Sequence, residues 1–573
     1  VNSTFRAECF ISSKWTIAPI NQTFKAEDTE TNWHRNFWNT WILLDENTDM
    51  ASLDEGFRSL ESKVYGEKVP YNFSVQNLSD IYLRSENIMN SGLQGSVKNI
   101  RIFSAIAFLI VLVAAFNYII LSTAVSTGRA KEIGIRKSSG ASTKSIRKQL
   151  LNESVILALL VLPIALALAG IGKPYAEDLF QTKLLIINSN IVIYIIVYLA
   201  LTLLIGVASG LYTSSYLSRL SVISILKNSI QTGRRKSSVR FALIVIQLII
   251  FCSFVSGTLI IRSQYKYALQ KDMGYHKEDI LFFNMGRGFK NYTAFINNIK
   301  AYPNVVSAGG TMHPLPMGGS TSWMQPHFQD QSKKVRVEAL SVDYDFVETM
   351  GFTLLEGRSF SKEFGSDLKN SGLINETAIE ALGIEDPIGK QMSGKTIIGV
   401  VKDFNLHSIH TDIPPMMITM TDRYIHNVAI RYESGNLANL LPLLEAEWGK
   451  VAPGRTLNYY TIEELVEGIY KDEKNLSVII SIFALFSLLI AAFGLFGLTL
   501  YMAKSQTKEI GVKKVFGSSE KTIVISFLKK NFVIVVVATI LSIPVTILIM
   551  NRWLSSFSYK TNIAWWIFVV AFV

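Results

Sequence analysis

The chain has 573 residues, 49% of them hydrophobic, a mean hydropathy of +0.28 and a formal net charge of +11. Its two cysteines, Cys9 and Cys252, exclude a disulfide framework and a cysteine-built zinc site. The basic excess is split among loops flanking apolar runs instead of forming one stripe, which excludes nucleic acid as the partner.

Residues 1–100 are polar and aromatic-rich, with a strand-like stretch Asn39-Thr-Trp-Ile-Leu-Leu44 and a helical stretch near 53–64. Uncharged runs follow at 102–121, 154–172, 191–217, 241–261, 476–503 and 531–550, with a seventh at 561–573. About 20 apolar residues cross a bilayer as a helix, so six such runs predict a polytopic helical membrane protein instead of a large soluble core. The chain opens at Val1 without a Met and closes inside an apolar run. It is therefore expected to lack at least one N-terminal span and the end of its last one.

Arg129-Ala-Lys-Glu-Ile-Gly-Ile-Arg-Lys-Ser-Ser-Gly-Ala-Ser142 returns as Gln506-Thr-Lys-Glu-Ile-Gly-Val-Lys-Lys-Val-Phe-Gly-Ser-Ser519. The register holds upstream, where Ala115-Phe116 falls on Ala492-Phe493. A period this long marks a duplicated domain, not a solenoid. The short loops on the side of the two boxes hold twenty Lys and Arg; those opposite hold only Lys173, Lys183, Arg552 and Lys560. The positive-inside rule then places both boxes in the cytoplasm and the two soluble segments outside. Four spans separate the boxes, so the repeats share one topology, unlike the inverted repeats of many carriers. The apolar runs contain no ionisable residue of the kind ion-coupled carriers place at mid-membrane; Asn117 and Gln247 are the main polar intruders, assigned to interhelical hydrogen bonding.

The region 262–475 alternates strand and helix signals: Val335-Arg-Val-Glu-Ala-Leu-Ser-Val342 and Thr396-Ile-Ile-Gly-Val-Val401 read as strands, residues 440–451 as helix, and Pro314, Pro316, Gly318 and Gly319 as loops. An α+β domain is expected. Residues 463–475 read as a polar helix running directly into the 476 span. Ser79-Asp-Ile-Tyr82 resembles Glu467-Gly-Ile-Tyr470, extending the duplication to the outer parts.

Gly389-Lys-Gln-Met-Ser-Gly-Lys-Thr396 fits the P-loop pattern, yet Pro387 precedes it and a β-branched run follows, so it reads as a hairpin. His407-Ser-Ile-His410, with Asp403 and Asp412 nearby, lacks zinc-ligand spacing and reads as a loop. No catalytic, cofactor or metal constellation is expected. Basic residues beside a membrane commonly just meet anionic lipid. A repeated acid and repeated glycines inside a basic box fit a protein partner better.

The boxes Lys131-Glu-Ile-Gly-Ile-Arg-Lys-Ser-Ser-Gly-Ala141 and Lys508-Glu-Ile-Gly-Val-Lys-Lys-Val-Phe-Gly517 resemble the cytoplasmic element of FtsX/MacB-type ABC transporter permeases. The outer region is similar to the MacB-like periplasmic domain through Val342-Asp-Tyr-Asp-Phe-Val-Glu-Thr-Met-Gly351, Gly357-Arg-Ser-Phe360, Asn375-Glu-Thr-Ala378, Asp386-Pro-Ile-Gly-Lys390 and Gly399-Val-Val-Lys-Asp-Phe404. The duplicated layout resembles long permeases frequent in Bacteroidetes, with two periplasmic domains and eight spans. The resemblance implies a polytopic α-helical protein of two FtsX-like repeats with α+β periplasmic domains, in the bacterial inner membrane. Its expected parts are the end of a first periplasmic domain at 1–100, the first repeat at 101–240, a span at 241–261, a second periplasmic domain at 262–475 and the second repeat at 476–573.

It further implies a non-enzymatic permease subunit for export, coupled to a separate ATPase in two copies that binds the ATP. The implied contacts are Lys131, Glu132, Ile133, Gly134, Ile135, Arg136, Lys137 and Gly140, and Lys508, Glu509, Ile510, Gly511, Val512, Lys513, Lys514 and Gly517. Val515-Phe516 replaces Ser138-Ser139, so the two contacts are expected to be unequal. Membrane lipid and a periplasmic adaptor or outer-membrane protein are the other implied partners. A regulator of cell-wall hydrolases like FtsX itself is the alternative, and a receptor without an ATPase a third.

Overall fold

The computed structural model describes residues 42–45, 48–66, 73–84, 95–180, 191–218, 234–286, 289, 291–317, 320–324, 335–422 and 425–572. They form two compact units, residues 1–108 and 109–573. In the first, α1 (Met50–Tyr65) starts where the Asp49 carboxylate accepts from the Ala51 amide at 3.1 Å and ends at Gly66. The Glu61 carboxylate accepts from the Phe73 amide, and a short α2 (Ile81–Arg84) follows. Residues 42–45 are irregular, so the strand expected near Leu44 is not formed there, and 39–41 lie outside the described residues.

Among the described residues, six helices are long and apolar enough to cross a membrane: α3 (Val97–Gly128), α5 (Thr143–Phe180), α6 (Ile191–Ser218), α7 (Arg234–Gln270), α14 (Lys471–Ser505) and α16 (Glu520–Leu554). They coincide with the six uncharged runs. With α4 (Ala130–Ser138), α15 (Thr507–Val515) and α17 (Trp566–Phe572) they make up the helical part. The seventh run is helical only over α17, and α5 continues through Lys173, which pairs with Glu177 at 3.6 Å instead of lying in a loop. In the first repeat α5 and α6 touch at backbone range, because a Cβ on Gly206 would lie 3.1 Å from Val155 Cα and one on Gly210 3.0 Å from Leu151 Cα. Tyr118 of α3 donates to the Ser154 carbonyl of α5 at 3.0 Å. The span helix α7 packs on α14, α16 and α17 of the second repeat.

Asn117 of α3 and Gly494 of α14 hold equivalent places in the two repeats, and a Cβ on Gly494 would overlap the Asn117 amide oxygen. That buried oxygen has no hydrogen-bond partner among the described residues. The interhelical hydrogen bond expected of Asn117 is therefore not made by that oxygen, which is closely packed instead.

The region between α7 and α14 is an α+β domain. Its strands are β1 (Ile280–Asn284), β2 (Val305–Thr311), β3 (Ser320–Met324), β4 (Val335–Val342), β5 (Leu354–Gly357), β6 (Ser371–Asn375), β7 (Gln391–Met392), β8 (Lys395–Val401), β9 (Met416–Met420), β10 (Asn427–Tyr432) and β11 (Asn458–Thr461). They form one mixed sheet, ordered β11-β1-β10-β2-β4-β9-β6-β8-β5, with β3 on β4 and β7 on β8. The β4–β9 and β6–β8 pairs are parallel. The helices are α8 (Tyr292–Lys300), α9 (Phe346–Met350), α10 (Asp367–Asn370), α11 (Glu376–Leu382), α12 (Leu437–Val451) and α13 (Ile462–Ile469). Residues alternate faces along a strand, and β1 is buried on both: Ile280 and Phe282 enter one core, Leu281 and Phe283 the other. The second core is closed by Trp448 of α12, whose ring meets Phe283 at 4.7 Å and Phe295 at 5.6 Å. The first core extends to Ala268 of α7 and to Phe557, beyond α16.

The helix expected over 463–475 is two helices. Backbone turns at Tyr470 (φ −98°, ψ 20°), between α13 and α14, while the fully buried Tyr470 hydroxyl accepts from the Ile409 amide at 2.8 Å. Burial pushes that phenol up to about 12. The matching Ser79-Asp-Ile-Tyr82 stretch enters α2, and residues 85–94 beyond it lie outside the described residues. Around Tyr470 the α+β domain is seated on the helices. The His410 ring stacks on Phe557 at 4.1 Å, and its Nε2 lies 3.3 Å from the Glu473 carboxylate at the start of α14. The Tyr559 amide donates to the Ile409 carbonyl at 3.3 Å, and Gln264 of α7 donates to the Tyr559 carbonyl at 2.9 Å.

Candidate functional site

The two boxes share one backbone fold. Helix α3 gives way to α4 at Arg129 (φ −92°, ψ 6°), and α14 to α15 at Gln506 (φ −98°, ψ 13°). At the far end Ala141 donates to the Arg136 carbonyl at 2.9 Å, and Ser518 to that of Lys513 at 2.9 Å. Gly140 (φ +94°) and Gly517 (φ +84°) take the left-handed conformation that closes such helix ends, which a side chain would strain. Gly134 and Gly511 instead sit inside α4 and α15, and Gly511 faces open space. Each turn feeds a new helix, with Ser142 accepting from Ser145 and Ser519 from Thr522, both at 3.2 Å.

Lys131 and Lys508 lie in the first turns of α4 and α15, next to Glu132 and Glu509. An acid in a first turn and bases in the last complement the helix dipole, and Arg136, Lys137, Lys513 and Lys514 occupy those last turns. In α4, Ile133 is buried while Ile135 is exposed; in α15, Val512 is exposed. Glu132 pairs with Arg136 at 2.7 Å, and Glu509 with Lys513 at 2.9 Å. Two residues that motif reading passed over, Gln149 and Glu153, complete the first box. Arg129 Nη1 meets Glu153 of α5 at 2.9 Å, and Arg136 Nη1 meets Gln149 at 2.9 Å. Glu153 above all, then Glu132, hold the Arg129 proton more firmly than usual. In the second box Lys514 pairs with Glu520 of α16 at 2.6 Å.

The other sequence candidates are placed elsewhere. Gly389 to Thr396 forms a hairpin, β7 on β8 with Met392 opposite Lys395, as expected from the β-branched run. His407 meets Glu338 at 2.7 Å and His410 meets Glu473, so the two rings are committed to different carboxylates.

The sequence model described as FtsX-like permease C-terminal matches residues 104–222 and 481–573, and each matched stretch contains one box. The chain is 22% identical over 220 residues to the macrolide export ATP-binding/permease protein MacB of Chromobacterium violaceum, covering 35% of this chain and 34% of that protein. A protein of the same description from Vibrio parahaemolyticus is 22% identical over 267 residues, covering 42% and 40%. Two stretches of the chain are thus FtsX-like permease segments, and the chain is similar to MacB-type ABC transporter permeases. The matches span about a third of the length of the first of these FtsX/MacB relatives and two-fifths of the second. Among solved structures, the periplasmic region of MacB from Actinobacillus actinomycetemcomitans is 13% identical, covering 35% of this chain and 97% of that one, with a TM-score of 0.27. The extracellular domain of the ABC-type transporter YknZ is 15% identical, covering 32% and 98%, with a TM-score of 0.24.

Proposed function

We propose that this permease is the non-catalytic membrane subunit of an ABC system, carrying ATP-driven motion of a separate ATPase to outer domains that handle an exported substrate. The observation that carries this is the pair of FtsX-like repeats, each holding the same box in the same helix-turn-helix conformation. Two contacts on one chain favour two ATPase copies per permease, and ATP resides on them. The residues from Lys131 to Lys137 with Gly140, and from Lys508 to Lys514 with Gly517, form those contacts. The charge asymmetry of the short loops supports boxes in the cytoplasm of a bacterial inner membrane, with residues 1–100 and 262–475 outside, open to an adaptor or outer-membrane partner.

The test is a mild-detergent pull-down of the protein from its native membranes with ATP trapped, followed by mass spectrometry. A P-loop ATPase near two copies per permease is expected; outer proteins alone would overturn the proposal. Glu132→Lys combined with Glu509→Lys turns both boxes uniformly basic. It should abolish ATPase association while leaving membrane insertion intact, since no apolar run changes.

A further inference from the structure

Shifting the first box onto the second by register exposes a paired exchange. Arg129 and Glu153 become Gln506 and Lys530, Arg136 and Gln149 become Lys513 and Ser526, and Ser138-Ser139 becomes Val515-Phe516. In the first copy these groups form a ladder. Arg129 reaches Glu153 at 2.9 Å, Gln149 reaches Glu153 at 3.1 Å, and Arg136 reaches Gln149 at 2.9 Å. The ladder fastens α4 along the first turns of α5. In the second copy a glutamine and a lysine replace its two ends, so that ion pair has no counterpart there. Among the described residues, Lys514 pairs with Glu520 across the turn itself.

The tips differ in the opposite sense. Val515 and Phe516 are 86% and 84% exposed. The corresponding residues of the first tip are two exposed serines. Adjacent large apolar side chains this open to water on a basic helix end mark a contact surface. Lipid is the weaker candidate for the contact: both turns fold alike after a span of their own repeat, and one of them carries serines.

We infer that the two boxes divide the work: Val515 and Phe516 seat in an apolar socket of the ATPase and set its retention, while the laddered first box makes a polar, salt-sensitive contact. This rests on the ATPase reading above. One bound ATPase is then held more tightly than the other.

The experiment uses the full chain purified with its ATPase under ATP-trapping conditions, stepping salt from low concentration to roughly 0.5 M, where surface charge is screened beyond a few ångströms. ATPase copies per permease should fall from two to one. Val515→Ser with Phe516→Ser should release the salt-resistant copy, lowering retention about tenfold or more. Ser138→Val with Ser139→Phe should make the other copy salt-resistant. A photo-crosslinking residue at position 516 should yield an ATPase adduct. Equal loss of both copies with salt, unchanged retention in the double serine variant, or an adduct only with lipid would each overturn the inference and leave the ATPase reading standing. Absence of any ATPase at low salt would overturn both.

Discussion

Arg358 and Asp367 show how much of this fold rests on one buried charge. The Asp367 carboxylate is 0% exposed and takes two guanidinium hydrogens at 2.7 and 2.9 Å, plus the Ser361 amide and the Ser371 hydroxyl. The Arg358 hydrogen bonds hold its carboxyl below the usual aspartate range. A depressed carboxyl stabilises the fold above its unfolded value, near pH 4, and loses that contribution as pH falls through the lower folded value. Asp367→Asn should therefore flatten the acid limb of the stability curve, followed by tryptophan fluorescence of the full chain in detergent. Arg358→Ala should cost about 2 kcal/mol at neutral pH, because it leaves a charged acceptor short of donors. At this scale the sequence was legible where a residue is repeated. The boxes, their acids and the turn glycines Gly140 and Gly517 were visible because copying at fixed register is a strong signal. Glu153 lies 24 residues from Arg129, and only a comparison of both members of the pair across the two copies would have singled it out.

The helices were the most legible elements, since a bilayer demands about 20 uncharged residues per crossing. β4 was found at its full length because alternation and bounding turns coincide; the sheet order was not, since neighbours such as β4 and β9 are far apart in sequence and their pairing depends on the whole fold. The break at Tyr470 was missed for a related reason. Its local pattern is helical, and the bond to Ile409 that accompanies the turn comes from 61 residues away. The contact between α5 and α6 offers an element-level test. Gly210→Val would push branched carbon into the Leu151 backbone, where even a Cβ sits 3.0 Å away. Overpacking of this kind costs about 1–3 kcal/mol, so the melting temperature in detergent should fall. The same change at Gly511, with open space around it, should leave that temperature within a degree or two by the same reasoning.

Among the described residues, the loop at Ile409 and His410 ties the α+β domain to the segment that follows α16, at Phe557, Ser558 and Tyr559. His410→Ala removes the stack on Phe557 and the contact with Glu473, together worth about 1–2 kcal/mol of local stability. Limited proteolysis of the reconstituted full chain should then cut within 405–412 roughly tenfold faster, while cleavage elsewhere in the domain stays the same. His410→Phe keeps the stack and should recover most of the protection.

A table on two legs rocks; a third leg stops it. The α+β domain is joined covalently to α7 and to α14, and without more it would be free to swing about the line between them. Ile409, His410 and the segment from Phe557 to Tyr559 supply the third leg, standing on the end of α16. α16 is also the helix that begins just after the turn of the second box. A shift of that helix along its axis would therefore tip the domain, or pull the third leg off its footing at His410.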